Sequence, residues 1–354
     1  MSLPYLQPYF GLSNSLQTAQ AAGGAGAAVG GWVELARTTL GSASNNIDVT
    51  SLADKRYLMV LGFLDGGDID TRITFNNDTG SNYSNRYNYN GGSDVLKTSV
   101  TDIRTDSSSV GKEFWVEYIS NLSSKEKLWQ AHMIKNSSSG AGGVPSRGEL
   151  PAKWTNTSSV ISSIKHSDSA GATDIASGSE VVVLGWDPAD THTTNFWEEL
   201  ASVELGSAGD LLDSGTFTAK KYLWVQCYIK NSGAAQVSFT YNNDSASNYS
   251  YRFSNNGASD TTNVNFTRFV PINDVTTGHG QFVNMFIVNN SANEKLTIAH
   301  GVGTDVAGAG TAPQRRETVS KWANTSSQIT RIQSDNTQAG DYDTGSIIKV
   351  YGSD

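Results

Sequence analysis

The sequence predicts an all-β protein: two tandem jelly-roll-like antiparallel β-sandwich domains behind an extended N-terminal arm. Three observations predict this fold class. Apolar and polar residues alternate in short runs, as they do along strands. Asn, Asp, Gly and Ser, which favour turns, separate these runs about every ten residues. The chain also repeats itself once, at a spacing far longer than the roughly 20–50 residues of a solenoid unit.

The repeat is clearest in one unusual phrase. FNNDTGSNYSNRY, which starts at Phe75, returns as YNNDSASNYSYRF at Tyr241. Each copy later reads KW-x-NTSS and closes on a β-rich run, SGSEVVVLGW in the first copy and TGSIIKVYG in the second. Aligning the copies divides the chain into an arm (1–30), a first sandwich (31–187), a linker (188–195) and a second sandwich (196–354).

The strand assignments follow from which residues share a face. YLWVQCYIK, from Tyr222, has β-forming residues on both faces, as a central buried strand does. Its one cysteine, Cys227, falls on the face of Leu223 and Val225, so we expect a small core thiol. In YSNRYNY the tyrosines share one face, and the turn before them suggests a β-hairpin with an aromatic face.

Helical signals are scarce. The best is the short KW-x-NTSS segment, which begins at Lys153 in the first copy and at Lys321 in the second. With so little helix, a double sheet of about eight strands per copy is the natural candidate, although the strand order cannot be read from the sequence.

Composition excludes several classes of protein. The net charge of the 354-residue chain is −9, so no basic surface for nucleic acid is expected. No run of 18 apolar residues occurs, which argues against a membrane-spanning helix. The N-terminus lacks the basic start and compact apolar core of a secretory signal. One cysteine rules out an intramolecular disulfide framework.

Reactive residues that recur in both copies form no known catalytic motif, so we expect no enzymatic activity and no cofactor or metal. The recurring pairs are Glu34 with Glu199, Asp78 with Asp244, Arg86 with Arg252, His132 with His300, Arg147 with Arg315, and Glu149 with Glu317. The histidines lack metal-ligating neighbours and are interpreted as structural. DGGDID, from Asp65, resembles a loose calcium loop, but the second copy reads KNSGAA there, which favours an acidic turn.

The Asn- and Tyr-rich phrase also has the residue types of a lectin site, with aromatics for stacking and amides or carboxylates for hydroxyls. A turn above a buried aromatic face explains the same residues without a ligand. The candidate sugar-binding residues are Asn76, Asn77, Asp78, Asn82 and Tyr83, and in the second copy Asn242, Asn243, Asp244, Asn248 and Tyr249.

The arm combines YLQPYFGL with a flexible Gly/Ala tract. We expect its large apolar side chains to anchor it in a neighbouring subunit or a second protein, and the alternative is that it folds back on its own domain. The candidate anchors are Tyr5, Leu6, Tyr9 and Phe10.

The repeated phrase and the closing runs resemble a domain that recurs in virion structural proteins of tailed bacteriophages, marine ones especially. That resemblance covers both copies. It implies self-assembly, attachment through the arm to other virion proteins such as capsid or tail subunits, no enzymatic turnover, and a place in a virion assembled in the host cytoplasm. It leaves head and tail locations open.

Three functions are candidates for a sequence of this kind. The first is a non-enzymatic virion building block, either a capsid-decoration (cement) protein or a tail-associated component, and a homo-oligomer. The second is a carbohydrate-binding adhesin on a phage tail, whose partner is a host surface glycan. The third, a glycan-degrading enzyme, needs two carboxylates facing a cleft, and neither Glu34/Glu199 nor Glu149/Glu317 has an evident partner.

Overall fold

A computed structural model describes residues 28–29, 31–104, 109–169, 175–192, 194–231, 233–272, 280–304 and 306–354. Within these ranges the regular elements are 25 β-strands, numbered β1 to β25 along the chain, with no helix. The strands pair antiparallel. The predicted fold class, all-β with jelly-roll-like antiparallel sandwiches, is confirmed. Of the predicted arm (1–30), only residues 28–29 are among the described residues.

The first repeat builds one large and one small sheet. The large sheet consists of β2 (Val33–Thr39), β4 (Tyr57–Ile69), β6 (Tyr83–Tyr89), β7 (Val95–Val100), β9 (Ser109–Ser120), β10 (Lys127–Asn136), β11 (Ser146–Trp154) and β13 (Glu180–Trp186). Their spatial order is β2-β13-β4-β9-β10-β11-β6-β7. The small sheet consists of β3 (Asn46–Val49), β5 (Thr71–Phe75), β8 (Ile103–Arg104) and β12 (Ile164–Asp168), in the order β3-β12-β5-β8.

The described residues of the second repeat build the same pair of sheets, with a single bridge between Phe239 and Phe269 where the first repeat has β8. Its large sheet consists of β15 (Glu198–Glu204), β17 (Tyr222–Ile229), β19 (Tyr249–Asn255), β20 (Thr261–Phe266), β21 (Gln281–Val288), β22 (Lys295–Gly303), β23 (Gln314–Trp322) and β25 (Ile347–Ser353). Their order is β15-β25-β17-β21-β22-β23-β19-β20, which matches the first repeat position for position. The small sheet consists of β16 (Leu211–Asp213), β18 (Ser238–Tyr241) and β24 (Ile332–Asp335), in the order β16-β24-β18.

A short two-stranded sheet connects the beginning of the described chain with the linker. In it β1 (Ala28–Val29) pairs with β14 (Thr191–His192). The described end of the arm, residues 28–29, is therefore placed beside the linker between the repeats.

The repeated Asn-rich phrase is not a hairpin, contrary to the sequence-based expectation. The strand before it, β5, belongs to the small sheet, and the strand after it, β6, belongs to the large sheet. The same crossing occurs between β18 and β19. The phrase is a corner that carries the chain from one layer of the sandwich to the other. The predicted aromatic face is present, because Tyr83 and Tyr87 point into the core.

The KW-x-NTSS segments, which carry the best helical signal in the sequence, do not form a helix. Each Lys–Trp pair ends a strand, and the next residues form a turn. The Asn156 side-chain oxygen accepts hydrogen bonds from the backbone N–H groups of Ser158 and Ser159, and Asn324 does the same in the second repeat. Such Asx turns compete with helix formation, which explains the misleading signal.

Three apolar cores hold the molecule together. Two lie inside the sandwiches, between the large and the small sheet of each repeat. Cys227 is fully buried in the second of these, as expected. The third core lies between the outer faces of the two large sheets and takes side chains from both repeats, so the layers run small, large, large, small. The sequence comparison had assigned each repeat only a core of its own.

The shared core is rich in aromatic rings. Trp224 stacks on Phe286 with ring centroids 5.7 Å apart and also contacts Trp197 and Tyr351. Across the junction, Phe114 of the first repeat stacks on Tyr222 of the second at 6.3 Å. Both faces of the central strands are therefore buried, which explains why YLWVQCYIK and EVVVLGW carry β-forming residues at nearly every position.

The shared core predicts a sharp difference between two aromatic residues on the same face of β17. Trp224 is 7% exposed and Tyr228 is 42% exposed. Trp224→Ala should lower the free energy of unfolding by about 3–5 kcal/mol, because it leaves a cavity between the sheets. Tyr228→Ala, the matched control, should change it by no more than about 0.5 kcal/mol. Denaturant titration measures both, and equal effects would contradict a core between the repeats.

Candidate functional site

Several recurring reactive residues meet where the two large sheets face each other. The imidazoles of His132 on β10 and His300 on β22 contact each other across the junction, with ring centroids 4.3 Å apart and an edge-to-face arrangement. Equivalent residues of two repeats meet in this way when the repeats face each other through the same surface, as in an isologous dimer. Sequence comparison paired these histidines but could not show that they touch.

Charged residues surround this histidine pair. The Arg147 guanidinium donates to both carboxylate oxygens of Asp260, at 2.7 and 3.3 Å, and these two side chains are nearly inaccessible to solvent. Arg147 also pairs with Glu149 on the same strand. The corresponding pair in the second repeat, Arg315 with Glu317, is 2.7 Å apart. The cluster thus contains two of the recurring Arg–Glu pairs and one ion pair that joins the repeats.

The two repeats use this cluster differently. Asp94, the counterpart of Asp260, pairs with Arg86 at the surface of the first repeat. Arg252, the counterpart of Arg86, lies 3.9 Å from Asp260 and also donates to the Pro145 carbonyl of the first repeat at 2.9 Å. The junction is therefore only partly symmetric.

The pKa values in the cluster follow from its surroundings. Burial, the neighbouring imidazole and Arg147 hold the pKa of His132 well below its usual value. Burial and Arg147 lower the pKa of His300 to about 4. Burial raises the pKa of Glu149, and Glu317 adds to that rise while Arg147 opposes it. Both histidines are therefore neutral near pH 7 and suit a structural contact.

Metal binding has no support in the described part of the chain, where no group of three His, Cys, Asp or Glu side chains could hold an ion. In the DGGDID segment, Asp65 pairs with Lys112 at 2.8 Å. Glu34 pairs with Arg37, and Glu199 with Lys349. The described part of the chain contains no helix, and so no helix there that could span a membrane.

The candidate sugar-binding residues are engaged inside the fold. Asn76 and Asn77 both have positive φ angles of 53°, which Asn adopts more readily than most residues. The Asn76 oxygen accepts from the backbone N–H groups of Ser162 and Ser163. Asn242 repeats this contact with residues 330 and 331. These amides tie the corner to the next segment of the chain.

The carboxylate in the phrase is a hydrogen-bond acceptor for a buried tryptophan. Asp78 accepts from the Trp154 indole N–H at 2.7 Å, and Asp244 accepts from Trp322 at 2.7 Å. Asn82 and Asn248 donate to the same carboxylates. In the second repeat Tyr249 accepts from a backbone N–H, as Tyr83 does in the first. These contacts account for the repeated residue types without a ligand, and sugar binding stays a prediction.

A groove of about 540 Å³ opens at the end of the first large sheet that the second repeat leaves uncovered. Its walls include Trp32, Tyr57, Tyr118, Leu128 and Trp186. Tyr57 stacks on Trp186 with centroids 5.3 Å apart, and Leu128 is 59% exposed. Sequence reasoning missed this groove because its residues come from six separate segments. The available signal was the tryptophan within each of the GWVE and VVLGW runs, Trp32 and Trp186.

Buried charges distinguish the first sandwich from the second. On β9, Glu117 accepts from the Trp129 indole at 2.8 Å and lies 2.6 Å from the His166 ring, with no exposed surface on either partner. Four residues earlier on the same face of β9, Glu113 forms a second buried pair with Lys135 at 2.7 Å. The second repeat has Gln281, Met285, Gly303 and Ser334 at the four equivalent positions.

Comparisons with known proteins add little. No family model and no curated protein matches the chain. It is similar to domains LG4-5 of the mouse laminin α1 chain, with 9% identity, 93% of this chain and 92% of that chain covered, and a TM-score of 0.18. It is also similar to the Yersinia pestis attachment invasion locus protein Ail in complex with sucrose octasulfate, with 6% identity, 80% and 99% covered, and a TM-score of 0.12. Scores this low carry no argument about function.

The predicted arm anchors, Tyr5, Leu6, Tyr9 and Phe10, lie outside the described residues. Their role stays a prediction.

The ion pair across the junction predicts that the two equivalent aspartates contribute unequally to stability. Asp260→Ala removes the carboxylate that takes two hydrogen bonds from the buried Arg147, with Glu149 on the same strand as the remaining ion-pair partner, and should cost about 3 kcal/mol of unfolding free energy. Asp94→Ala, the matched control, removes an exposed pair and should leave stability unchanged. Chemical denaturation of both variants is the measurement. A comparable loss for Asp94→Ala would show that the Arg147 contact has no special weight.

The histidine pair predicts a pH dependence. Each imidazole has a lowered pKa in the folded protein, whereas in the unfolded chain it binds a proton below about pH 6.5. The unfolded state then binds more protons, so this contribution is complete above about pH 6.5 and is lost as the pH falls toward 4. A His132→Gln/His300→Gln variant should lose less Tm than the parent between pH 7 and pH 5. If Tm falls with pH as steeply in the variant as in the parent, the histidine pair is not the source of the pH dependence.

Proposed function

We propose that this protein is a non-enzymatic structural component of a bacteriophage particle, either a capsid-decoration protein or a tail-associated protein. It docks on other virion subunits through its N-terminal arm and self-associates. The observation that carries the proposal is how the outer faces of the two large sheets are buried. They pack against each other in a core shared by both repeats, and next to that core lies an open apolar groove.

The chemistry of the arm supports docking. No Asp, Glu, Lys, Arg or His precedes Glu34, while large apolar side chains gather at residues 5–10. Burying such a segment in a protein interface removes apolar surface from water without stranding a charge. The neutral to acidic, hydroxyl-rich remainder of the chain suits the solvated exterior of a particle.

Deleting residues 1–27 tests the role of the arm, since it keeps β1 and its pairing with β14. The shortened protein should remain folded, because the side chains described in the three cores all come from residue 32 onward. It should lose association with itself or with purified particles, measured by sedimentation. A Tyr5→Ser/Tyr9→Ser/Phe10→Ser variant of the full chain should show the same loss. Undiminished association would contradict docking through the arm.

The virion role itself is tested by locating the chain in native particles by electron microscopy with a specific antibody. A label on every head or every tail is the expected result, and particles without the protein would refute the proposal. The adhesin alternative instead predicts saturable binding on a glycan array. That binding should be lost on Asn77→Ala, whose side chain has only a surface contact, with Lys165.

A further inference from the structure

The aromatic groove is an extension of the junction between the repeats. Trp32 and Tyr118 line the groove and also pack against the shared core. The same sheet face is thus covered by the second repeat at one end and open at the other. An apolar surface of this kind, next to a packed interface, marks a place where another segment binds.

The groove has the chemistry of a receptor for an uncharged, apolar peptide. None of its lining side chains carries a charge. Three of its aromatic rings form a continuous wall, because Trp186 contacts Tyr57 at 5.3 Å and Trp32 at 6.4 Å. Grooves lined by aromatic rings bind extended proline-containing segments, whose backbone is already stiff and loses little entropy on binding.

An unpaired donor adds to this chemistry. The Trp186 indole N–H is buried and has no hydrogen-bond partner in the described structure. Leaving such a buried donor without an acceptor is unfavourable. A backbone carbonyl of a peptide bound in the groove is the kind of acceptor that this donor lacks.

The chain carries a segment that fits this groove. Residues 4–10 read PYLQPYF, with two prolines, three aromatic rings, one leucine and no charge. The described chain resumes at Ala28, four residues before Trp32 in the groove wall. The intervening residues 11–27 are uncharged and rich in Ala and Gly. A flexible tether of that length has a root-mean-square span of about 20–25 Å, which is enough to turn back to the groove.

We propose that the groove holds residues 4–10 of the same chain. The tether favours this occupant over a second copy, because attachment next to the groove gives the segment a millimolar effective concentration. The arm then covers the aromatic wall while the protein is free and can exchange onto a neighbouring subunit at high local concentration. The inference does not rest on the virion role, and either can fail without the other.

A pair of engineered cysteines tests the placement in the full chain. Leu128 lies in the groove and is 59% exposed, and Leu96, on the edge strand β7, is also 59% exposed and serves as the control. The native Cys227 is fully buried and its thiol pKa is raised by that burial, so it does not compete. Phe10→Cys/Leu128→Cys should form an intrachain disulfide about ten-fold faster than Phe10→Cys/Leu96→Cys under mild oxidation.

Non-reducing electrophoresis separates the outcomes. A faster-migrating monomer supports the proposal. Disulfide-linked dimers would place a second copy in the groove and overturn it, as would a rate no greater than that of the control.

Proteolysis gives a readout without engineered thiols. The arm has no trypsin site but offers chymotrypsin Tyr5, Tyr9 and Phe10. Leu128→Glu places a charge in the groove and should speed chymotryptic cleavage in the arm about ten-fold relative to Leu96→Glu. Equal cleavage rates in the two variants would overturn the proposal.

Discussion

Burial of both faces of each large sheet is the constraint on which the structure depends. A sandwich normally leaves the outer face of its sheet to water, and polar residues then alternate with apolar ones. Here the inner face packs on the small sheet and the outer face packs on the other repeat. Neither repeat can be separated without exposing rings such as Trp224 and Phe286. Having both repeats in one chain keeps these faces at high effective concentration and makes their association intramolecular.

The repeated Asn–Asp phrase is best understood as the solution to a steric problem. The chain must leave a small sheet and enter a large one within a few residues. Two successive positive φ angles at Asn76 and Asn77 turn the backbone, and Asp78 then anchors the turn to a tryptophan in the core. The second copy preserves each of these contacts. A phrase that looks like a binding site in a linear sequence is here explained by backbone geometry.

The sequence was informative wherever a residue's role depends on its near neighbours. Strand alternation identified the core faces of β6 and β17, and internal comparison paired Trp154 with Trp322, both of which are buried. It failed where roles depend on distant partners. Strand periodicity cannot tell a hairpin from a crossing between sheets, so the corner was misread. Nor could it reveal that His132 meets His300, or that Trp32 and Trp186 share a groove, because those contacts come from the packing of separate segments.

The asymmetric charges inside the first sandwich have a consequence for how the chain folds. Two homologous domains in one polypeptide risk exchanging equivalent strands during synthesis, a common route to misassembly in repeat proteins. If β9 entered the second domain in place of β21, Glu117 would face Ser334 instead of His166. Its carboxylate would then be buried in an apolar core without an ionic partner. The different interiors of the two sandwiches therefore disfavour the exchange of equivalent strands between repeats. The outer faces of the two large sheets still pack against each other.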